Sequence, residues 1–247
     1  MFSSLFVRMV LLLSALTFVV AWWQRDALPP STRLDEAVFA EPTQKLVDRA
    51  PFQTTVGGIE YTVRPLYQYD LTGLVVSKHN ADTWWDQIHA AWGDKLNVTD
   101  LCVIWGNNAR TARYRELDYS SGQFVCYVNT SSNAVWATFD IYSLSNNHML
   151  TDDSGIAKVL RTVRVGDQLH FRGYLAEYSH HHGFNFHRGT SITRTDTGNG
   201  ACETVFTTDA RIIRHANRGW RFAFWASAAL FAVGIVAWFR LPFRVTD

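Results

Sequence analysis

The chain has 247 residues, 47% of them hydrophobic, and 23 basic against 22 acidic side chains leave a formal net charge of +1. So even a balance excludes an overall electrostatic pull toward nucleic acid or anionic lipid. Ten tryptophans and sixteen phenylalanines exclude a chain too poor in apolar side chains to fold, and the length fits one folded domain.

The first apolar stretch covers residues 9–23. About 15 residues between Arg8 and Gln24 fall short of the roughly 17 a span needs, but Leu5, Phe6 and Val7 lengthen it if the Arg8 stem snorkels. Val19 and Ala21 have the spacing of a signal-peptidase site, which leaves cleavage after Ala21 open. The bulky Trp22-Trp23 pair favours an uncleaved anchor with its indoles at headgroup level.

Residues 25–51 carry Pro29, Pro30, Pro42 and Pro51 and read as a linker with at most one short helix near 32–40. Gly57-Gly58 then separates two alternating runs, residues 52–56 and 59–63, which predicts a two-residue hairpin because both turn positions need positive φ. A strand is expected over 70–77, followed by a connection carrying Trp84, Trp85 and Trp92. Further short strands are predicted at 100–105, 123–128 and 134–142, each β-branched or aromatic and bounded by Gly, Asn or Ser.

A helix is expected from Thr151, with Asp152 and Asp153 in the first turn and Ile156, Val159, Leu160 and Val163 three and four apart. It stops before Gly166-Asp167. Alternation from Gln168 to Leu175 predicts a half-buried strand, and a last strand covers about 202–213. The second apolar stretch, residues 222–239, carries no charge, is bracketed by Arg221 and Arg240, and holds Trp225 and Trp238 near its ends. That is the pattern of a transmembrane helix.

Three strands, one helix and two strands is the order of an OB-type barrel. The expected fold is mainly β, an OB-like barrel with an added N-terminal hairpin and one helix, flanked by two transmembrane helices. The segments are an anchor (1–24), a linker (25–51), the β-rich domain (52–215), a second span (220–240) and a tail (241–247). Arg25, Arg33, Arg211, Arg214, Arg218 and Arg221 flank the spans on the domain side, against Arg8, Arg240 and Arg244 on the terminal side. A bare count favours a cytoplasmic domain, but the rule weakens for loops beyond about 60 residues. The first span resembles a signal anchor, so a domain outside the cytoplasm is expected.

Cys102, Cys126 and Cys202 are odd in number. Cys102 lies in the apolar run 101–105 and reads as core, so the pair expected in an oxidising compartment is Cys126 with Cys202. No CxxC spacing suggests a zinc ribbon or dithiol site. His180, His182 and His187 are candidate metal ligands, although adjacent imidazoles alternate sides of a strand and do not readily converge on one ion. His148 beside Asp152 and Asp153 could form an acid-base group at a helix start, and the same residues also suit a turn and cap. Asp196 and Glu203 belong to a glycine-rich loop, 194–200, and the strand after it, where backbone amides could meet an anion or metal. These five acids and bases are the catalytic candidates; the residue pattern leaves the cofactor open.

The strings at residues 100–106 (DLCVIWG), 144–150 (LSNNHML), 166–168 (GDQ) and 194–203 (RTDTGNGACE) resemble a family of uncharacterised bacterial membrane-associated proteins. The resemblance covers about 61–213 and implies a bacterial source, with no catalytic residues. The function expected is a membrane-tethered β-domain, an interaction or accessory module of a bacterial envelope or membrane complex. It would sit in the inner membrane with its domain in the periplasm, and its partners would be the lipid bilayer and a membrane or envelope protein. Nucleic acid is not an expected partner, because a stacking groove needs more basic and aromatic residues than His170, Arg172 and Tyr174 supply. The rival is a membrane-bound hydrolase or metal-dependent enzyme using a His/Asp/Glu pocket.

Overall fold

The computed structural model describes residues 4–196 and 201–240. In chain order the described elements are α1 (Ser4–Gln24), β1 (Thr43–Leu46), β2 (Phe52–Val56), β3 (Ile59–Asn80), α2 (Gln87–Trp92), β4 (Asn97–Ile104), α3 (Gly106–Thr111), β5 (Asp118–Gly122), β6 (Val125–Asn129), α4 (Asn133–Trp136), β7 (Leu144–Leu150), α5 (Ser154–Thr162), β8 (Gln168–His180), β9 (Phe186–Arg188), β10 (Glu203–Arg214) and α6 (Arg218–Phe239). The fold is sheet-rich with six α-helices among the described residues, and the two terminal ones, α1 and α6, are long and apolar enough to cross a membrane.

The Gly57-Gly58 hairpin forms as expected, with φ of 60° and 79°, and joins β2 to β3. β3 is a single strand of 22 residues where two shorter ones were predicted. A break at Pro65, which cannot donate to a ladder, is absorbed by a register shift against β8. β3 pairs with both β4 and β8. The remaining links, β4 to β7, β7 to β10 and β10 to β8, carry the pairing round in a circuit, and only the β7–β10 link is parallel. Where β8 meets β10, Gly173 allows a close approach: a Cβ there would land on the Phe206 carbonyl oxygen and 3.0 Å from Thr207 Cα.

The main core gathers Leu71, Val103, Met149, Phe171 and Val205 with Leu160 and Val163 from α5 and its end. α5 forms as expected but begins at Ser154, three residues later than the Thr151 start the pattern suggested, with Asp153 as its N-cap. The Asp153 carboxylate accepts from the Gly155 and Ile156 amides at 2.7 and 2.9 Å, the N-cap arrangement. At its other end Lys78 Nζ donates to the Leu160, Arg161 and Val163 carbonyls, meeting acceptors that a helix C-terminus leaves open.

Several expectations are corrected. The stretch read as a linker contains β1 and two 3₁₀ turns, and buries Leu34 and Val38 against Leu74 and Ile104. Gln168 ties it down, accepting from the Asp35 amide at 2.6 Å and donating to the Arg33 carbonyl at 3.0 Å. Residues 134–142 are not a strand: Ser132 caps the short α4, and a 3₁₀ turn follows. Conversely, His148, read as part of a turn and cap, lies with Asn146 and Asn147 in β7 between β4 and β10. Asparagine disfavours strands, but here the neighbours decide, since Asn147 Nδ2 reaches the Leu101 carbonyl and Ser145 Oγ.

The cysteine pairing also differs. Cys126 is bonded to Cys102 and not to Cys202, with 5.8 Å between Cα atoms, because the β5–β6 hairpin lies over β3 and β4, joined there by Ser77 Oγ to Ser121 Oγ at 2.7 Å. Cys202 is a free thiol.

Among the described residues, 4–27 and 217–240 form a unit apart from residues 28–216. Within it α1 and α6 run antiparallel, with the Phe18 and Phe224 rings 4.6 Å apart near one end and Arg8 over Trp238 near the other. Gly234 permits the contact, since a Cβ there would come within 2.8 Å of Leu11. The expected tail, 241–247, lies outside the described residues.

Candidate ligand-binding site

Antiparallel β4 and β7 place Asp100 opposite His148. Both are fully buried, so their polar atoms need partners inside the protein. Asp100 Oδ1 stands 2.6 Å from His148 Nδ1 and accepts from Asn97 Nδ2 at 3.0 Å, while Oδ2 accepts from the Phe124 amide at 3.3 Å. On the other side of the imidazole, Arg188 Nη2 lies 2.5 Å from Nε2. A guanidinium only donates, so Nε2 is the acceptor and the ring hydrogen sits on Nδ1, facing Asp100. Burial pushes the Asp100 carboxyl up, but the adjacent His148 and the hydrogen bonds from His148 and Asn97 outweigh it and hold the carboxyl below its ordinary value.

Phe124, at the tip of the β5–β6 hairpin, covers this pair. Its φ of 63° is a left-handed conformation that costs a bulky residue about 1–2 kcal/mol, and the surroundings hold it there. The ring packs on His89 at 4.2 Å, Trp92 at 5.0 Å and His148 at 5.3 Å, and Arg188 lies 4.0 Å over it. Its carbonyl accepts from the Cys202 thiol at 3.6 Å. Burial raises that thiol's pKa, which makes a nucleophilic thiolate less available.

Beside these groups lies a cavity of about 900 Å³, walled by the hairpin tip, the start of β7, β9 and the start of β10. Glu203 lines it, is 4% exposed and shares 2.6 Å with Arg194 Nη1 through Oε1. Among the described residues its Oε2 has no partner. Burial outweighs Arg194 and lifts the Glu203 carboxyl to about 7. Arg194 also donates to the Tyr69 hydroxyl at 3.0 Å and rests over Trp105. Asn146, also lining the cavity, adds a second buried acceptor, Oδ1, that has no donor among the described residues.

Comparison of the chain with protein-family profiles, characterised proteins and solved structures finds no match. The site is therefore read from its own geometry.

Of the five catalytic candidates, the structure brings three to this region. Asp196 and Glu203 line the cavity, and His148 lies behind Arg188. Asp196 also accepts from Ser191 Oγ at 2.7 Å; the rest of its glycine-rich loop, 197–200, lies outside the described residues. Asp152 is instead bonded to Thr54 at 2.6 Å and Asp153 caps α5, so both serve structure. The three candidate metal ligands are not brought together. His180 donates through Nε2 to the Trp92 carbonyl and accepts the His182 amide on Nδ1, which occupies both nitrogens. His187 lines the cavity from the exposed side of β9.

One convergent group was missed: His79, Asp86 and His89, all buried. Asp86 Oδ2 stands 2.6 Å from both His79 Nε2 and His89 Nδ1. Ligands about 2.0–2.1 Å from a tetrahedral ion would stand about 3.3 Å apart, so these separations are those of charge-assisted hydrogen bonds. Asn97 Nδ2 points at His89 Nε2 at 2.8 Å, which makes Nε2 an acceptor and puts the ring hydrogen on Nδ1. The residues fit a proton-bridged triad better than a metal. Burial pushes the Asp86 carboxyl up, and the hydrogen bonds from His79 and His89 bring it below its ordinary value. Through Asn97, which reaches Asp100, the triad joins the network under the cavity.

Proposed function

We propose that the chain is a membrane-anchored binding module whose cavity takes a small polar ligand, serving as an accessory part of a bacterial envelope complex. The supporting observation is the cavity of about 900 Å³, within the range of small-molecule sites. Its wall presents buried acceptors without donors among the described residues, Glu203 Oε2 and Asn146 Oδ1. A ligand that supplies donors would relieve the cost of leaving such groups unpaired.

The domain itself we read as an OB-like barrel. The pairing circuit, its single parallel link and the placing of α5 between β7 and β8 support this. α1 and α6 would span the bacterial inner membrane as an antiparallel pair, holding the domain on the periplasmic side, where Cys102 and Cys126 would meet an oxidising environment. A hydrolytic reading has less support. Asp152 and Asp153 are engaged elsewhere, and Arg188 occupies His148 Nε2, the nitrogen that would have to take a proton.

Native mass spectrometry of the full chain, extracted gently from its own membranes, tests the binding reading. The expected result is a co-purifying small molecule, lost in Gly189→Trp, which fills the cavity from a position where an added Cβ meets nothing within 4 Å. A bare wild-type chain that also yields no stoichiometric partner after crosslinking in membranes would count against it. A pair of C-terminal reporters, one active only in the cytoplasm and one only outside it, tests the topology. Activity of the external reporter alone would overturn the orientation.

A further inference from the structure

We propose that Arg188 receives an oxyanion of the ligand, a carboxylate or a phosphate group; the inference rests on the binding-module reading and names the ligand's chemistry.

The two arginines of the cavity are in different states. Arg194 is already engaged, with Glu203 Oε1 at 2.6 Å and the Tyr69 hydroxyl at 3.0 Å. Arg188 spends one N–H on His148 Nε2, an uncharged acceptor. Among the described residues the arginines that pair with carboxylates are Arg25, Arg64, Arg113, Arg161, Arg172, Arg194 and Arg221, and Arg188 is not among them. A guanidinium carries five N–H donors in a planar fork that matches a carboxylate or phosphate. In Arg188 most of that fork is unspent.

The group is also held ready. One edge is fixed by His148, which Asp100 orients from behind, and one face lies 4.0 Å over the Phe124 ring. A side chain fixed before binding has less rotamer entropy to lose when the ligand arrives, and the cation-π contact holds it without cancelling its charge. The strained backbone of Phe124, φ 63°, keeps that ring in position, an expenditure typical of binding and catalytic sites. On the same cavity wall the two unpaired acceptors, Glu203 Oε2 and Asn146 Oδ1, would face ligand N–H or O–H groups. The ligand is thus an oxyanion that also carries hydrogen-bond donors.

The test uses the full chain in lipid nanodiscs with ¹⁵N-arginine and ¹⁵N-asparagine. The Arg188 Nε–Hε signal is assigned by its loss in Arg188→Lys, and the Asn146 amide by Asn146→Ser. Sodium acetate, inorganic phosphate and neutral acetamide are titrated at constant ionic strength. The expected result is a saturable Arg188 shift in the millimolar range with acetate, with phosphate, or with both, and none with acetamide. Whichever anion saturates identifies a carboxylate or a phosphate ligand. In Arg188→Lys the response of the Asn146 amide to that anion should weaken about tenfold, equivalent to about 1.4 kcal/mol, because an ammonium cannot bind it through a fork. A non-saturating shift with both anions, or an equal response to acetamide, would overturn the oxyanion assignment. Saturation by acetamide at Asn146, abolished in Gly189→Trp, would sink the oxyanion and leave the binding module standing. No saturable response at either residue from any probe, with Gly189→Trp indistinguishable from wild type, would sink both.

Discussion

Replacing Asp100 by alanine removes the acceptor on which three donors converge: the buried His148 Nδ1 at 2.6 Å and Asn97 Nδ2 at 3.0 Å, and the part-buried Phe124 amide at 3.3 Å. Each buried donor left unpaired costs about 1–3 kcal/mol. Asn97 keeps a second contact, to His89, and the Phe124 bond is the longest, so the sum is about 3–6 kcal/mol rather than the upper limit. Against a typical total of about 5–15 kcal/mol that is a large fraction. At roughly 2–4 °C per kcal/mol for a domain of this size, the unfolding midpoint should fall by about 10 °C or more. The assay is thermal unfolding of the detergent-solubilised full chain, followed by tryptophan fluorescence. A pH series supplies an independent check. Asp100 sits at about 2 against an ordinary 3.8, so its stabilisation is present above pH 3.8 and is lost as pH falls through 2. At 1.36 kcal/mol per unit this amounts to about 2 kcal/mol. The deficit of Asp100→Ala should therefore shrink between pH 4 and pH 2. A variant within about 2 °C of wild type at pH 7, or a deficit that does not shrink in acid, would refute the reasoning.

Glu203 has the opposite sign. Its carboxyl is raised from 4.5 to about 7, so the stability it contributes when neutral is full below pH 4.5 and is lost as pH rises through 7. Glu203→Gln should be more stable than wild type at pH 8, by up to about 3 kcal/mol, and nearly equal to it at pH 4.5, measured as paired midpoints; a gap that widens in acid would contradict this. Gly173→Ala drives a Cβ into the backbone of β10 at Phe206 and Thr207, with an expected loss of about 3 kcal/mol, whereas Gly189→Ala meets nothing within 4 Å and should stay within about 0.5 kcal/mol of wild type. Reducing the Cys102–Cys126 bridge, with a sequence separation of 24, should cost about 3 kcal/mol. Thiol labelling of the unreduced chain should find Cys202 alone, and a bridge lost in Cys202→Ser would contradict the pairing.

How much of this was legible depends on the range of the interaction. Gly57-Gly58 dictates its hairpin because two consecutive positive φ angles are a local demand. α5 is announced by the acids Asp152 and Asp153 at its start and by Ile156, Val159, Leu160 and Val163 on one face, although only the structure shows that Asp153 is the cap. The apolar stretches at both ends mark their own helices. β7 was illegible for a physical reason: Ser145, Asn146, Asn147 and His148 have poor intrinsic strand preference and form a strand because β4 and β10 supply partners. The strand predicted at 134–142 failed the other way, since no sheet edge meets its aromatic and β-branched residues.

For the site, the residue pattern singled out His148, Asp196 and Glu203 but missed Asp100, Arg188 and Phe124. Asp100 had one available signal, a carboxylate entering the apolar run at 101–105, and His79, Asp86 and His89 another, two imidazoles and a carboxylate within 11 positions. Arg188 had none. It reaches an imidazole 40 positions earlier in the chain, which in turn faces an acid another 48 positions back. Composition and local periodicity determined α1, α5, α6, most strands and their order, but not the short helices α2, α3 and α4. The pairing register alone decided which acid meets which base, because polar contacts across a sheet are set by where strands align and leave no periodic trace along the chain.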